Sequence, residues 1–290
     1  MSWVSRLFLF LIIISLPVST FAAPEFTTKA REAIIVDHTT SKTLFEYNAD
    51  QKTIPSSMTK LMTLYILFDR IKEGKLTLES MLPVSERAWR MQGSKMFVEL
   101  GKDLKVEDLI RGIIVQSGND ACVVVAEGIS GSEEAFAEEM NFYAKKLGLT
   151  GSHFKNSTGW PDDDHYMTAR DLAILSSKLI TDMHDFYHYF AELTFVHHGI
   201  TQHNRNLLLG KVKEIDGLKT GHTEAAGYGI AISGQVAERG NRRVVVVING
   251  LKSEKERADE ANRLFQYAIR EFELVTFYEA GEKVADADVW

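Results

Sequence analysis

The most constraining feature of this sequence is Pro-Ser-Ser-Met-Thr-Lys-Leu-Met at residues 55–62, which places a serine three residues before a lysine. An apolar run continues from it to about Glu73, and Gly74 can end that run in a left-handed cap. The run is apolar nearly all round, which predicts a central buried helix. Because positions i and i+3 share a helix face, we expect Ser57 and Lys60 to point the same way from its first turn.

This spacing suggests nucleophilic chemistry. A serine hydroxyl is a weak nucleophile until a nearby base takes its proton. An ammonium group cannot do so, and Lys60 would therefore have to be neutral when Ser57 attacks. Burial and a neighbouring positive charge both lower the pKa of a lysine. A serine enzyme of this kind therefore needs a second positive charge, a proton relay and an oxyanion site from elsewhere in the chain.

The remaining patterns predict an α+β domain with an antiparallel sheet built from both chain ends. Residues 33–47 have the pattern of a β-hairpin. Strand patterns occur again over 215–249, and the last of them is built on the apolar run Val244 to Ile248. Helices are predicted at 105–115, 121–127, 133–147, 172–180 and from Ser253 onward, with Ser132, Thr168 and Ser253 as N-caps. Residues 76–104 are less regular and predict surface loops. We expect helices to flank the sheet and an all-helical subdomain to lie between the two sets of strands.

The N-terminus has the pattern of a secretory signal peptide over residues 1–23. Arg6 precedes an unbroken apolar run, and the small residues Ala22 and Ala23 follow it. The run is short for a membrane span, so cleavage near Ala22 or Ala23 is favoured over a retained anchor. The chain holds one cysteine, Cys122, which excludes an internal disulfide and is best interpreted as a small buried hydrophobe.

Charge and ligand spacing narrow the function classes further. The formal net charge is −7 and no basic run stands out, so nothing favours nucleic acid as a partner. Three groups of polar residues lack metal-ligand spacing: His184 with His188; His197, His198 and His203; and Asp162 to Asp164. We expect neither a metal nor a cofactor.

Three short motifs stand in a fixed order along the chain: Ser57-x-x-Lys60, Ser117-x-Asn119 and Lys219-Thr220-Gly221. Each alone is weak, but all three behind a signal peptide are specific. The combination resembles the penicilloyl-serine enzymes, which are the penicillin-binding proteins and serine β-lactamases. The residues around them, at 55–63, 109–122 and 216–223, are similar to the low-molecular-mass D-alanyl-D-alanine carboxypeptidases over about residues 26 to 275.

The resemblance implies a β-lactamase/transpeptidase-like fold and a serine D,D-carboxypeptidase acting on peptidoglycan stem peptides, with β-lactam antibiotics as inhibitors. Ser57 would attack the carbonyl between two terminal D-alanines and release the last one. Lys60 would accept the serine proton, and Ser117 would relay a proton to the leaving amine. Lys219 would keep Lys60 neutral and attract the terminal carboxylate.

The resemblance also assigns substrate-binding roles. Asn119 would donate to the peptide carbonyl, and Thr220 would bind the terminal carboxylate. Gly221 would let the substrate backbone lie against its strand without a Cβ in the way. The backbone N–H groups of Ser57 and His222 would stabilise the oxyanion, whereas the role of the His222 side chain stays open. Two arginines match family positions near the substrate, which are Arg257 behind the strand and Arg205 at the cleft rim.

Several alternatives stay open. A class A β-lactamase shares the three motif types but uses a loop glutamate for deacylation, and residues 158–168 contain none. A D,D-endopeptidase that cuts cross-links is a closer alternative, and a non-catalytic peptidoglycan- or penicillin-binding module is a third. Related carboxypeptidases continue into a β-rich domain and a membrane-lying helix. Residues 276–290 resemble only the start of that domain, as a truncated stub that we expect to be poorly packed. Membrane attachment is therefore doubtful, and a periplasmic location is expected for the catalytic domain, 24–275.

Overall fold

The computed structural model describes residues 26–275, 278 and 281–284. The predicted signal peptide, 1–23, lies outside the described residues, as does most of the predicted stub, 276–290. The stub's packing, Trp290 included, therefore stays a prediction. Among the described residues, no helix combines the length and apolar composition that crossing a bilayer requires.

Strands and helices alternate in blocks along the chain. The strands are β1 (Glu32–Asp37), β2 (Lys42–Tyr47), β3 (Met81–Pro83), β4 (Asp103–Lys105), β5 (Thr194–His197), β6 (Ile200–His203), β7 (Ile215–Thr223), β8 (Gly227–Val236) and β9 (Arg242–Leu251). The α-helices are α1 (Lys60–Lys72), α2 (Glu86–Arg90), α3 (Val106–Arg111), α4 (Asn119–Ser130), α5 (Glu133–Leu147), α6 (Ala169–Asp182) and α7 (Glu254–Glu271). Short 3-10 segments occupy Ser56–Thr59, His184–Ala191 and Ala237–Arg239, and one π-helical turn occupies Gly112–Gln116.

The predicted antiparallel sheet made from both chain ends is confirmed. Its strand order is β2-β1-β9-β8-β7, so the N-terminal hairpin joins the C-terminal strands through the β1–β9 pair. The central strand β9 is buried on both faces, which accounts for its run of valines. Edge strand β7 carries the Lys-Thr-Gly motif, and that edge therefore becomes one wall of a cleft.

Two hydrophobic cores lie on opposite faces of this sheet. Because side chains alternate along a strand, Val244 and Val246 pack with α7, whereas Val245 and Val247 pack with the helical side. The helical core also contains α1, whose residues from Leu61 to Phe68 are all buried. The all-helical subdomain is therefore built around α1, as its apolar pattern predicts, and α1 rigidly supports the residues at its start.

Several local signals have the predicted structure. Ser132, Thr168 and Ser253 each accept a backbone N–H three residues on, at 3.0 to 3.1 Å, as N-caps. Gly74 and Gly148 end their helices with φ of 72° and 77°. The predicted burial of Cys122 is also confirmed.

Other details differ from the sequence prediction. Residues 76–104 are not all loop, because β3, α2 and the start of β4 lie there. These elements have three to five residues, too few to show a period. The hairpin of β5 and β6 was not predicted, and α4 extends beyond the predicted 121–127 at both ends. The α-helix begins at Lys60 rather than Ser57, which instead lies in a 3-10 turn closed by Met58 N–H donating to the Pro55 carbonyl at 3.1 Å.

Candidate active site

The structure brings Ser57 and Lys60 together at the start of α1. The Nζ of Lys60 lies 2.8 Å from Ser57 Oγ. It also donates to Asn119 Oδ1 and to the Thr158 carbonyl, both at 2.7 Å. Lys60 is fully buried, whereas Ser57 is partly exposed. The amine is thus fixed in direct contact with a hydroxyl that a substrate can reach.

The second motif lies on the turn between the π-helical turn and α4. Ser117 has a left-handed backbone, with φ of 65°, and is 1 % exposed. Its Oγ has no hydrogen-bond partner in the described part of the chain. An unpaired buried hydroxyl costs stability, and strained backbone of this kind is concentrated at functional sites. Ser117 therefore has the features of a residue kept for chemistry.

Asn119 contacts Lys60, which the sequence did not predict, and its donation to the substrate stays a prediction. Its Oδ1 accepts from Lys60, and its Nδ2 donates to the Gln92 carbonyl at 2.8 Å. One of the two amide hydrogens is thus engaged within the protein, and the side chain first of all positions Lys60. The adjacent Asp120 accepts the backbone N–H groups of Met96, Phe97 and Val98 at 2.9 to 3.2 Å, besides that of Ala121. Asp120 thereby holds a loop beside the cleft, a role that the sequence did not predict.

The third motif, on β7, forms the opposite wall. Lys219 is 2 % exposed, and its Nζ donates to the Thr220 carbonyl at 3.3 Å. Thr220 is also buried, whereas His222 is exposed and stacks on Tyr228 with ring centroids 3.9 Å apart. Within the described part of the chain, the His222 side chain has this packing contact and no hydrogen bond.

Gly221 is needed for a reason other than the predicted one. A Cβ at this position would lie 2.9 Å from the Pro55 carbonyl oxygen and 3.3 Å from Met58 Cγ and Ser56 Cβ. The bare backbone therefore lets β7 pack against the turn that carries Ser57. Its absent side chain faces the protein, not the substrate.

Burial shifts the pKa of both lysines downward. Desolvation lowers the pKa of Lys60 to about 8, and the charge of Arg205 lowers it further against the opposing effects of Cys122 and Asp120. Burial also lowers the pKa of Lys219 well below its usual value, and the nearby charge of Lys60 adds to this. Because repulsion between two ammonium groups acts on both of them, a protonated Lys219 also lowers the pKa of Lys60, in the direction that the sequence predicts, and Arg205 adds to that effect.

The two predicted arginines are neighbours. Arg205 donates to Ser94 Oγ at 2.9 Å, and its carbonyl accepts from Arg257 at 3.1 Å. Arg257 is 2 % exposed, lies 5.7 Å from the Tyr228 ring centroid, and its Nε has no hydrogen-bond partner among the described residues. Burial lowers the pKa of both guanidinium groups. Together with Lys219 they make this wall strongly positive, which suits a carboxylate.

The sequence predicts a loop at 156–161, but it does not predict that this loop contacts Lys60. The Thr158 carbonyl binds Lys60, and Asn156 Oδ1 accepts the backbone N–H groups of Thr158, Gly159 and Trp160 at 2.8 to 3.2 Å. A Cβ at Gly159, where φ is 82°, would lie 1.8 Å from the Ser56 carbonyl oxygen. The Asn-Ser-Thr-Gly turn pattern was the available signal, but it identified only a loop.

These elements enclose a cleft of about 500 Å³. Its lining includes Ser57, Ser94, Asn119, Thr158, Trp160, Pro161 and His222. The cleft brings Ser57 of the first motif and Asn119 of the second together with His222, which directly follows the third motif, and Ser57 is the lining serine that contacts Lys60. Acyl transfer is the chemistry that a hydroxyl, a base and a positive wall in this arrangement can perform.

Comparisons with known proteins agree with this geometry. The family model for D-alanyl-D-alanine carboxypeptidases of the peptidase S11 group matches residues 18–252. The D-alanyl-D-alanine carboxypeptidase DacD of Salmonella typhimurium is 39% identical over 264 residues, which cover 89% of this chain and 67% of that protein.

Similar relatives also occur among solved structures and among endopeptidases. The crystal structure of penicillin binding protein 6B from Escherichia coli matches with a TM-score of 0.83 and 36% identity, over 91% of this chain and 84% of that one. A D-alanyl-D-alanine endopeptidase of Pseudomonas aeruginosa is 30% identical over 203 residues, which cover 68% of this chain and 64% of that protein.

Proposed function

The chain belongs to the D-alanyl-D-alanine carboxypeptidase family, and on that premise we propose how its residues perform the reaction. The protein is a serine D,D-carboxypeptidase and a penicillin target. The observation that carries the proposal is the 2.8 Å contact between Lys60 Nζ and Ser57 Oγ, with Lys60 buried. Contact places the base within reach of the proton, and burial makes it a base at near-neutral pH.

Acylation proceeds in two balanced steps. Ser57 Oγ attacks the carbonyl carbon of the peptide bond between the terminal D-alanines while its proton moves to neutral Lys60. The C–N bond then breaks, and the leaving amine takes that proton from Lys60 through Ser117, which returns Lys60 to its neutral form. With a pKa of about 8, roughly a tenth of Lys60 is neutral at pH 7, which is sufficient for catalysis.

The remaining steps use the positive wall and water. Lys219, Thr220 and the arginine pair bind the terminal carboxylate of the peptide, which places the scissile carbonyl beside Ser57. The backbone N–H groups of Ser57 and His222 face the developing oxyanion. After D-alanine leaves, a water molecule attacks the acyl carbon and gives up its proton to neutral Lys60. The bond between the acyl carbon and Ser57 Oγ then breaks, Oγ takes that proton from Lys60, and the shortened peptide leaves.

The contacts of the 158–168 segment favour a persistent penicillin adduct over rapid hydrolysis. This segment contains no glutamate, and it contributes the Thr158 carbonyl to Lys60. A class A β-lactamase places a general base for deacylating water in the corresponding loop. We therefore assign β-lactams to the inhibitors of this enzyme.

A second activity, D,D-endopeptidase cleavage of cross-links, is favoured by the similarity to the Pseudomonas endopeptidase. The bond cut is of the same kind, and only the leaving group is larger. Release of free D-alanine from a pentapeptide and release of a whole peptide from a cross-linked dimer distinguish the two.

We place the reaction in the periplasm, because the first 23 residues have the pattern of a signal peptide. The substrate, peptidoglycan stem peptides, lies there. Fusion of residues 1–30 to a reporter that is active only after export tests this placement, with Arg6→Glu and Leu9→Glu as the impaired control.

Labelled penicillin followed by peptide mapping tests the catalytic assignment. We expect one stable adduct, on Ser57, and none in Ser57→Ala. The matched control is Ser56→Ala, because Ser56 is the adjacent serine and its Oγ contacts Thr223 Oγ1 at 3.4 Å rather than Lys60. This variant should retain the adduct. Rapid penicillin turnover without release of D-alanine from a D-Ala-D-Ala pentapeptide would contradict the proposal.

A further inference from the structure

A buried histidine ties the catalytic turn to the segment that follows the 156–161 loop. His165 is 2 % exposed, and its Nε2 lies 2.9 Å from Oγ1 of the fully buried Thr59. Thr59 directly precedes Lys60 in the chain. Neither His165 nor Thr59 takes part in the acyl-transfer steps, yet their contact joins two segments that meet at the base.

The hydrogen bonds of His165 show which ring nitrogen carries the proton. The backbone N–H of Lys155 can only donate, and its nitrogen lies 3.3 Å from His165 Nδ1. Nδ1 must therefore accept, which places the ring proton on Nε2. Nε2–H then donates to Thr59 Oγ1, so the neutral imidazole links two segments through one acceptor and one donor.

The surroundings of His165 keep the imidazole neutral and in one orientation. Burial lowers its pKa to about 4, against the opposing charge of Asp162 and with the added effect of His153 and Lys60. The ring of Phe154 meets the imidazole edge-on, with centroids 5.7 Å apart and an interplanar angle of 82°. At neutral pH the donor on Nε2 is therefore always directed to the same place.

The backbone around His165 is held independently of its side chain. Tyr166 and His153 exchange two backbone hydrogen bonds at 2.8 and 3.0 Å, and Met167 exchanges two with Thr53 at 2.9 and 3.0 Å. Replacing the imidazole should therefore leave this segment attached to the rest of the protein and act mainly through the lost side-chain contacts.

The hydroxyl of Thr59 also meets the 156–161 loop. A Cβ at Gly159 would lie 2.8 Å from Thr59 Oγ1, so the hydroxyl is packed between the imidazole and the bare backbone of that glycine. The preceding residue, Thr158, supplies the carbonyl that accepts from Lys60 Nζ at 2.7 Å. The position of the Thr59 hydroxyl thus affects how closely this carbonyl approaches the amine.

A second threonine, one turn further along α1, attaches the other side of the loop. Thr63 Oγ1 donates to the Ser157 carbonyl at 2.6 Å, and both residues are buried. The Thr158 carbonyl therefore lies between two fixed points, one at Thr63 and one at Thr59. The attachment at Thr59 is completed by His165, which comes from outside the loop.

We propose that His165 is a positioning residue for the general base, Lys60. Through Thr59 it keeps the Thr158 carbonyl within hydrogen-bond distance of the Lys60 amine. The inference rests on the proposed function, because it takes Lys60 as the base that acts on Ser57. His165 exchanges no proton with the substrate, and its effect passes through Thr59.

Two substitutions separate the two hydrogen bonds of His165. The amide of asparagine replaces Nδ1 and can accept from Lys155 without reaching Thr59, whereas the amide of glutamine replaces Nε2 and can donate to Thr59. The measurement is labelled-penicillin acylation at pH 9, where Lys60 is largely neutral. We expect His165→Asn to lower the second-order rate constant at least about tenfold, and His165→Gln to lower it less than about threefold. Equal losses would overturn the inference.

Substitutions of Thr59 provide the same test if the His165 variants do not fold. Valine has the shape of threonine without the hydroxyl, whereas serine keeps the hydroxyl. Thr59→Val should slow acylation at pH 9 at least about tenfold, and Thr59→Ser less than about threefold. In the double variant Thr59→Val with His165→Asn the losses should not add, because both remove the same contact. Additive losses, or equal losses in Thr59→Val and Thr59→Ser, would overturn the inference.

The pH profile separates positioning from a general structural effect. A hydrogen bond from the ammonium group favours the charged form of a lysine, so moving the Thr158 carbonyl away should lower the pKa of Lys60. In His165→Asn and Thr59→Val, the midpoint of the acylation profile for an uncharged ester should move to lower pH by at least about 0.5 unit, while the rate above the midpoint falls. A lower rate with an unchanged midpoint would identify a structural effect and overturn the inference.

The outcomes distinguish this inference from the proposed function. A stable penicillin adduct on Ser57 of the unchanged protein, with normal acylation in His165→Asn and Thr59→Val, would overturn the inference alone. Absence of the adduct and of D-alanine release from the unchanged protein would overturn the proposed function and the inference with it.

Discussion

The two lysines of the cleft are both buried, but their surroundings differ. Lys60 Nζ has three acceptors at 2.7 to 2.8 Å, which come from three separate segments of the chain. Lys219 Nζ donates to one backbone carbonyl at 3.3 Å, on the next residue of its own strand. Among the described residues, neither lysine has a carboxylate partner.

The difference shows how one pair of like charges can have two functions. Burying an ammonium costs free energy unless acceptors replace its water. Lys60 has those acceptors and is therefore already fixed beside Ser57. Lys219 has only one such acceptor, so its burial is less well compensated. An anion beside it, such as the terminal carboxylate of the substrate, therefore stabilises it more than it would stabilise Lys60. The first lysine is organised for proton transfer and the second for recognition.

The largest difference between the two lysines should appear when each is replaced by arginine. Arginine keeps the positive charge but cannot lose its proton in this pH range. We expect Lys60→Arg to lower the rate of penicillin acylation by about 10²–10⁴, the usual size of a general-base contribution. Lys219→Arg should lower it by less than about tenfold, since electrostatic attraction is retained.

The measurement is the second-order rate constant of labelled penicillin binding at pH 7. Circular dichroism and thermal unfolding of both variants establish that they are folded. Equal losses in the two variants would show that both lysines act through charge alone, and the assignment of Lys60 as the base would then be wrong.

Two glycines test whether the surroundings of Lys60 are rigid. Gly159 and Gly101 both have positive φ, of 82° and 73°, but only Gly159 is in close contact, since a Cβ there would lie 1.8 Å from the Ser56 carbonyl oxygen. We expect Gly101→Ala to lower the free energy of unfolding by about 1–2 kcal/mol from backbone strain alone. Gly159→Ala should lower it by at least about 2 kcal/mol more, and should slow acylation because Thr158 and Ser56 must move.

Urea unfolding followed by fluorescence gives both stabilities, and labelled penicillin gives the acylation rates. Gly101→Ala serves as the control for strain, and it should acylate at the normal rate. If the two variants lose equal stability, the close packing between the 156–161 loop and the catalytic turn is not a source of rigidity.

The sequence predicted the catalytic groups better than it predicted what holds them. Side chains such as Ser57, Lys60 and Lys219 have distinctive chemistry, and the resemblance of their motifs to a known family implied that they lie at one site. By contrast, the Thr158 carbonyl that binds Lys60 is a group that every residue carries, and only tertiary structure selects it. The same applies to Gly221, whose role depends on the approach of Pro55, a residue far away in sequence.

Secondary structure was likewise predicted where the elements are long and missed where they are short. Long periodic segments such as α1, α5 and β9 were predicted because alternation or helical spacing is visible over many residues. The strands β3 to β6 have three or four residues each, and their pairing is fixed by contacts made elsewhere. Local pattern is too weak at that length to compete with tertiary packing.

The smallest expected effect is a shift in the pH dependence of acylation, which reports the pKa of Lys60. Because the pKa of Lys60 is lowered from 10.5 to about 8, its neutral fraction rises about tenfold per pH unit below 8 and levels off above it. The second-order rate constant for an uncharged acylating ester should follow that curve between pH 6 and 9.5.

Arg205→Gln removes a charge that lowers the Lys60 pKa, so the midpoint of the pH profile should move to higher pH. Arg90→Gln, an exposed surface control, should leave it in place. A midpoint that does not move in Arg205→Gln would show that burial alone sets the pKa of the base, and a rate that falls with rising pH would require that Lys60 act in its charged form.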